Sequence, residues 1–239
     1  MSAAPRRPGF PFVRQSAAPR VHDAIAARAR MIERLMAAGI RDALLLRALG
    51  AVDRRHFVDS ALALRAYDDD ALPIGLGQTI SKPSVVARML QLLVQGGVRT
   101  PDGQRLGRVL EIGTGCGYQA VVLGHIAEEA YSIERLRALH EKARENLRPL
   151  RIANVHLILG DGMVGYPQGA PYAGIVAAAG GEAVPAAWVE QLAVGGRIVA
   201  PIAHKSGVQV LVVIDKTLAG IEQRVLEAVR FVPLKSGVS

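Results

Sequence analysis

Two short stretches concentrate the side chains able to do chemistry. In Val109-Leu-Glu-Ile-Gly-Thr-Gly-Cys-Gly-Tyr118, glycines 113, 115 and 117 alternate with Thr114 and Cys116, and Glu111 precedes them. Glycine at such positions lets backbone amides approach a ligand that a Cβ would exclude. Glu134 follows Gly117 by seventeen positions, where an acid can accept hydrogen bonds from both hydroxyls of a ribose. Asp161, between Gly160 and Gly162, adds an acceptor placed for an adenine amino group. The second stretch, Ile74-Gly-Leu-Gly-Gln-Thr-Ile-Ser-Lys-Pro-Ser84, sets Thr79, Ile80 and Ser81 in an otherwise apolar region. Ser81 can cap a helix starting near Val85, or precede a Lys82 cap with Pro83 in the first turn. A helix start also offers free amides and a positive dipole end to an anion.

The glycine spacing separates two nucleoside cofactors. A dinucleotide fingerprint from Gly113 needs a small residue at position 118, where the chain has Tyr118. G-x-G-x-G after Glu111 is instead the pattern of S-adenosylmethionine-dependent enzymes, whose ligand has no pyrophosphate to seat on a helix dipole. Cys116 is the sole cysteine. No motif sets a histidine beside it, so it reads as a small loop residue; one cysteine allows no internal disulfide and fits a reducing, cytoplasmic compartment.

The elements needed to position these residues follow from periodicity. Ile25, Ala29, Ile32, Leu35 and Met36 predict a helix from Asp23 to Gly39; Asp42 caps a second, Ala43 to Leu49, closed by Gly50. After the Ser81 loop, Val85 to Leu93 reads as a helix stopped at Gly96-Gly97. Strands are expected at 108–112, 130–133, 155–159, 174–178, 197–202, 208–214 and 225–231, with helices at 118–128 and 136–147. This alternation predicts an α/β, Rossmann-like, mostly parallel sheet, an antiparallel C-terminal edge hairpin and an N-terminal helical layer.

Composition limits the alternatives. Half of the 239 residues are hydrophobic but only 4% are aromatic, so the core is aliphatic, as where helices cover a parallel sheet. No apolar run reaches the roughly 18 to 20 residues that span a bilayer, so no membrane partner is expected. The net charge of +8 is dispersed, and no specific nucleic acid is expected. Residues 1–22 hold four arginines and four prolines without an acid and read as a disordered basic tail; 23–239 form one domain, expected to be monomeric.

Together, Gly77-Gln-Thr-Ile-Ser-Lys-Pro83, the 109–119 loop, Tyr131-Ser-Ile-Glu-Arg135 and Val229-Arg-Phe-Val-Pro-Leu234 resemble protein-L-isoaspartate O-methyltransferases. The resemblance runs from about Met31 to Leu234 and implies a class I methyltransferase fold. It also implies methyl transfer from S-adenosyl-L-methionine, leaving S-adenosyl-L-homocysteine, to the α-carboxylate of L-isoaspartyl residues in damaged peptides and proteins. The ester then collapses to a succinimide, whose hydrolysis returns some normal aspartate. By the same resemblance Ser81 is catalytic. Thr79, Ile80, Glu111, Gly113, Thr114, Gly115, Gly117, Glu134, Arg135, Asp161 and Gly162 bind the cofactor, and no metal is required. Ala173 and Ala178 stand where the family usually has Asp and Thr, which predicts two missing polar groups near the cofactor; Lys82 replaces a common Gln or Ala. The rival readings are a methyltransferase for nucleic acids or small molecules, and a non-catalytic cofactor-binding relative.

Overall fold

The computed structural model describes residues 21–204 and 207–239, with the side chains of 21–23 left out. The basic tail therefore lies outside the described residues, except that the first helix, α1, starts two residues earlier than expected and spans Val21–Ala37. Its inward face also differs from the expected one: Ala24, Met31 and Leu35 are buried, whereas Ile25 and Met36 are about half exposed. Neighbouring positions lie about a hundred degrees apart around a helix, so the buried stripe is rotated from the expected one.

α2 (Ala43–Ala51) is capped by Asp42, which accepts a hydrogen bond from the Leu45 amide at 2.8 Å, and continues through Gly50 to a Val52 cap. A tight turn at Arg54–Phe57 leads to β1 (Leu72–Gly75) and β2 (Gln78–Ile80), an antiparallel hairpin where the sequence suggested only a loop. Its tip, Gly75-Leu76-Gly77, has positive φ at all three residues. β1 does alternate, with Leu72 and Ile74 buried, but strands of four and three residues are too short for that period to identify them in the sequence. α3 (Pro83–Gly96) then runs to a Gly97 cap.

The main sheet contains β3 (Leu106–Ile112), β4 (Ala127–Glu134), β5 (Val155–Leu159), β6 (Tyr172–Ala177), β7 (Leu192–Ala203), β8 (Gln209–Thr217) and β9 (Gly220–Val229). Their order is β5-β4-β3-β6-β7-β8-β9. The pairs from β5 to β7 are parallel, and β8 and β9 add antiparallel to that edge as expected. Three helices connect them: α4 (Tyr118–Ile126), α5 (Arg137–Leu147) and α6 (Ala186–Gln191). α4 ends before Glu128 because Ala127 already pairs with Leu106 in the sheet. The short α6, six residues long, has too few positions to show a helical period in the sequence.

Alternate strand residues feed two cores. Val109, Ala130, Val176, Val199 and Val213 pack with the buried faces of α1 to α4. Leu110, Ile133, Ile175, Ile198 and Val212 pack around Trp188 of α6 on the other side. Burial on both faces explains why these strands read as continuous aliphatic runs. The chain leaves β3 for β4 on one side and returns to β6 on the other, and such a reversal opens a crevice at the strands' carboxyl ends.

Candidate active site

The glycine loop follows β3 into this crevice. Gly113, Gly115 and Gly117 have φ of 93°, 57° and 90°, a region open to glycine but strained for residues with a Cβ. Their surroundings differ. A Cβ on Gly115 would stand 3.2 Å from Ile74 of the hairpin, so β1 lies directly over the loop. On Gly117 it would come within 2.6 Å of Leu147, at the end of α5. Gly117 thus permits helix packing and does not line the cavity, in contrast to the ligand contact anticipated from its spacing.

Behind the loop is a buried polar chain. Thr114 Oγ1 and Ser132 Oγ are 2.6 Å apart, and Ser132 Oγ donates to Glu111 Oε2 at 2.5 Å. Glu111 Oε1 and Gln119 Nε2 are buried without a hydrogen-bond partner. Burial pushes the Glu111 carboxyl up to about 8, against the opposing effect of its Ser132 and Gln119 neighbours, with Glu134 adding repulsion. Glu134 itself accepts from the amides of Gly115 at 2.8 Å and Leu136 at 3.0 Å. The thiol of Cys116 is also raised, to about 11, chiefly by burial, which keeps it protonated and unreactive.

The hairpin and its exit form the opposite wall. Lys142 Nζ donates to the Ile74 carbonyl at 2.8 Å, and Arg54 Nη2 to the Ser81 carbonyl at 2.6 Å. Lys82 occupies the α3 cap position without a side-chain bond. Asp69 accepts instead from the amide and hydroxyl of Ser84, at 2.9 and 2.8 Å. Ser81 therefore does not cap α3, and an acid already sits at the helix start that the sequence offered to an anion.

The C-terminal segment supplies a wall that the sequence did not reveal. Val232, Pro233, Leu234 and Lys235 line the cavity. The Gly180 amide donates to the Val232 carbonyl and the Leu234 amide to the Gly180 carbonyl, both at 2.8 Å. Beyond them, the Gly237 amide donates to Asp161 Oδ2 at 2.7 Å, and Arg135 Nε donates to the Gly237 carbonyl at 3.0 Å. Asp161 Oδ1 accepts from the Met163 amide at 2.8 Å. Asp161 is absent from the cavity wall, and its carboxylate holds backbone amides where an adenine contact was expected.

These walls enclose about 360 Å³, within the roughly 300 to 1,000 Å³ usual for small-molecule sites. Thr79, Ile80 and Ser81 line it from the hairpin side, and Glu111, Gly113, Thr114 and Gly115 from the glycine loop. Glu134, Arg135 and Gly162 line it too, so of the expected residues Gly117 and Asp161 are the two that stay off the wall. Ala178 lines the cavity as well, but Ala173 packs beside Gly107 near the amino end of β6, so only one of the two departures borders the site. Sequence reasoning missed Ile74, Tyr118, Gln119 and the C-terminal wall; the Phe-Val-Pro-Leu run was the one signal for the last. The unpaired Glu111 oxygen is an acceptor suited to an ammonium, and the unpaired Gln119 Nε2 and the backbone amides exposed by glycines are donors suited to a carboxylate, so together they fit a polar nucleoside with an amino acid tail. Among the described residues no cluster has the donors for a metal ion.

Fold and cavity together define a Rossmann-like, S-adenosylmethionine-dependent methyltransferase. Residues 26–239 match the family model described as protein-L-isoaspartate(D-aspartate) O-methyltransferase. The protein-L-isoaspartate O-methyltransferase of Leptothrix cholodnii is 57% identical over 242 residues, covering 98% of this chain and 84% of its own. A solved protein-L-isoaspartate O-methyltransferase matches with a TM-score of 0.77 and 29% identity, over 88% of this chain and 67% of its own. A putative one from Plasmodium falciparum, in complex with S-adenosyl-L-homocysteine, gives 0.73 and 25%, over 87% and 98%. The chain belongs to the protein-L-isoaspartate O-methyltransferase family.

Proposed function

We infer that this chain is a repair enzyme that moves a methyl group from S-adenosyl-L-methionine to the α-carboxylate of L-isoaspartyl residues in damaged proteins and peptides. Family membership over residues 26–239 carries that assignment, and the cavity between hairpin and glycine loop accommodates the chemistry. When bound, the cofactor supplies a sulfonium methyl as electrophile. A carboxylate is already ionised at neutral pH, so no residue has to remove a proton. The protein's task is positioning, which can contribute several kcal/mol through proximity and alignment.

In this reading, Glu111 and Gln119 receive the cofactor's charged amino acid end, and the amides at Gly113 to Gly115 line its path. Glu134 keeps the loop and the start of α5 in register through its two amide contacts, and its oxygens retain lone pairs for ribose hydroxyls. Ser81 offers its hydroxyl to the substrate carboxylate. That role is supported by its place on the cavity wall and by Asp69 having taken over the capping. We also propose a cytoplasmic monomer that needs no nucleic acid; the buried, protonated Cys116 is compatible with a reducing compartment. Among the described residues no helix is long and apolar enough to cross a membrane.

Incubation with labelled cofactor and three acceptors tests the assignment: an isoaspartyl peptide, its aspartyl twin and bulk RNA. Label confined to the first is expected. Label on RNA with none on the isoaspartyl peptide would transfer the chain to the nucleic-acid methyltransferases, and no label on any acceptor, despite cofactor binding, to the non-catalytic relatives.

A further inference from the structure

Arg54 is fully buried, yet among the described residues it has no ion-pair partner. The acid next to it in sequence is already engaged. Asp53 accepts from Arg55 Nε at 3.0 Å and Nη2 at 2.6 Å, and from the Tyr67 hydroxyl at 2.8 Å. The partly exposed arginine thus takes the carboxylate while the buried one does without. An uncompensated guanidinium in an apolar interior is costly, and an apolar residue of similar volume would usually be tolerated there at least as well. Packing alone therefore does not account for a cation at this position.

Its contacts say what it does. Nε donates to the Ala66 carbonyl at 2.7 Å and Nη2 to the Ser81 carbonyl at 2.6 Å. The guanidinium carbon lies 4.9 Å from the centroid of the Tyr118 ring, and Tyr118 lines the cavity as the first residue of α4. One planar group thus spans the exit of the hairpin and the residue that follows the glycine loop. The fixed fork of arginine can serve two carbonyls and a ring face at once, which neither lysine nor methionine can do.

We propose that Arg54 is a positioning residue for methyl transfer, fixing the Ser81 backbone against Tyr118 so that the serine hydroxyl meets the substrate carboxylate at the correct distance from the cofactor. The proposal rests on the assignment of isoaspartyl methylation and on Ser81 as the substrate-side group. It extends the site to a residue that does not touch the cavity.

The test compares Arg54→Met and Arg54→Lys with wild type in three readouts: steady-state methylation of an isoaspartyl peptide, S-adenosyl-L-homocysteine affinity, and Tm. Misplacement of about an ångström can cost on the order of 100-fold in rate. Arg54→Met is expected to lose about that factor in kcat, with KM for peptide changed far less. Its S-adenosyl-L-homocysteine affinity stays within about threefold, and its Tm within about 5 °C of wild type. Arg54→Lys, able to reach one carbonyl, recovers about tenfold of the loss. Arg54→Met with near wild-type kcat would overturn the proposal. So would parallel loss of activity, S-adenosyl-L-homocysteine affinity and Tm, which would make Arg54 a folding residue. Wild-type enzyme that labels isoaspartyl and aspartyl peptides alike would instead overturn the assignment beneath it, whatever the variants do.

Discussion

Asp69 holds the start of α3 through both the amide and the hydroxyl of Ser84, 2.9 and 2.8 Å away. The helix beside Ser81 therefore has its cap from a residue fifteen positions upstream, and the Ser81 hydroxyl is spared that duty. Losing a cap of this type costs about 1 kcal/mol. Asp69→Ala is expected to lower Tm by several degrees while isoaspartyl methylation at 25 °C stays within about threefold of wild type. A loss of turnover without a loss of Tm would mean that Asp69 serves the substrate and does not cap α3.

Glu111 gives the cofactor-free protein a pH signature. Burial raises its carboxyl from 4.5 in the unfolded chain to about 8, so the folded state holds the extra proton between those values. Its contribution to stability is fully present below about pH 4.5 and is lost as pH rises through about 8. The Tm of wild type should therefore fall relative to that of Glu111→Gln, which cannot ionise, between about pH 5 and about pH 9. A constant difference across that range would show that Glu111 titrates normally.

The three loop glycines should fail in different ways. Gly117→Ala places a methyl 2.6 Å from Leu147 at a φ of 90°, and should cost at least about 1 kcal/mol of stability. Leu147→Ala in the same chain should relieve the clash, a non-additive pair that thermal denaturation can read. Gly113→Ala has more room, with Ala178 at 3.6 Å, but Gly113 lines the cavity, and the substitution should weaken S-adenosyl-L-homocysteine binding more than it lowers Tm. Equal ratios of the two effects in both variants would contradict this division.

Asp161 accepts from the Gly237 amide at 2.7 Å, so its effect on the cofactor should run through the C-terminal segment. Asp161→Ala and removal of residues 236–239 should each weaken S-adenosyl-L-homocysteine binding by on the order of tenfold. Combined, they should do no more than the stronger one alone. Additive losses in calorimetric titration would indicate a direct cofactor contact by Asp161 instead.

Much of this site was legible because local chemistry decided it. β5 spans Val155–Leu159 as its aliphatic run implied, and Asp42 caps α2 as its spacing required. The glycine loop was found for the same reason, since a strand, alternate glycines and a following helix are contiguous in the chain. What stayed hidden depends on distant partners. Arg54 lies in Arg54-Arg-His-Phe57, which reads as surface, and only folding separates the buried arginine from its exposed neighbour. Asp161 and Gly237 are 76 positions apart, so nothing near Asp161 signals that its carboxylate is engaged. The three loop glycines look equivalent in sequence, yet Leu147 is what makes Gly117 obligatory.

Kinetics of Ser81→Ala test most directly whether Ser81 serves the substrate and neither the helix nor the cofactor. Turnover of an isoaspartyl peptide should fall by about 10- to 100-fold on loss of one positioned hydrogen bond. S-adenosyl-L-homocysteine affinity and Tm should match wild type. Unchanged turnover would contradict a substrate-side role for Ser81, as would a fall in cofactor affinity or Tm proportionate to the lost activity.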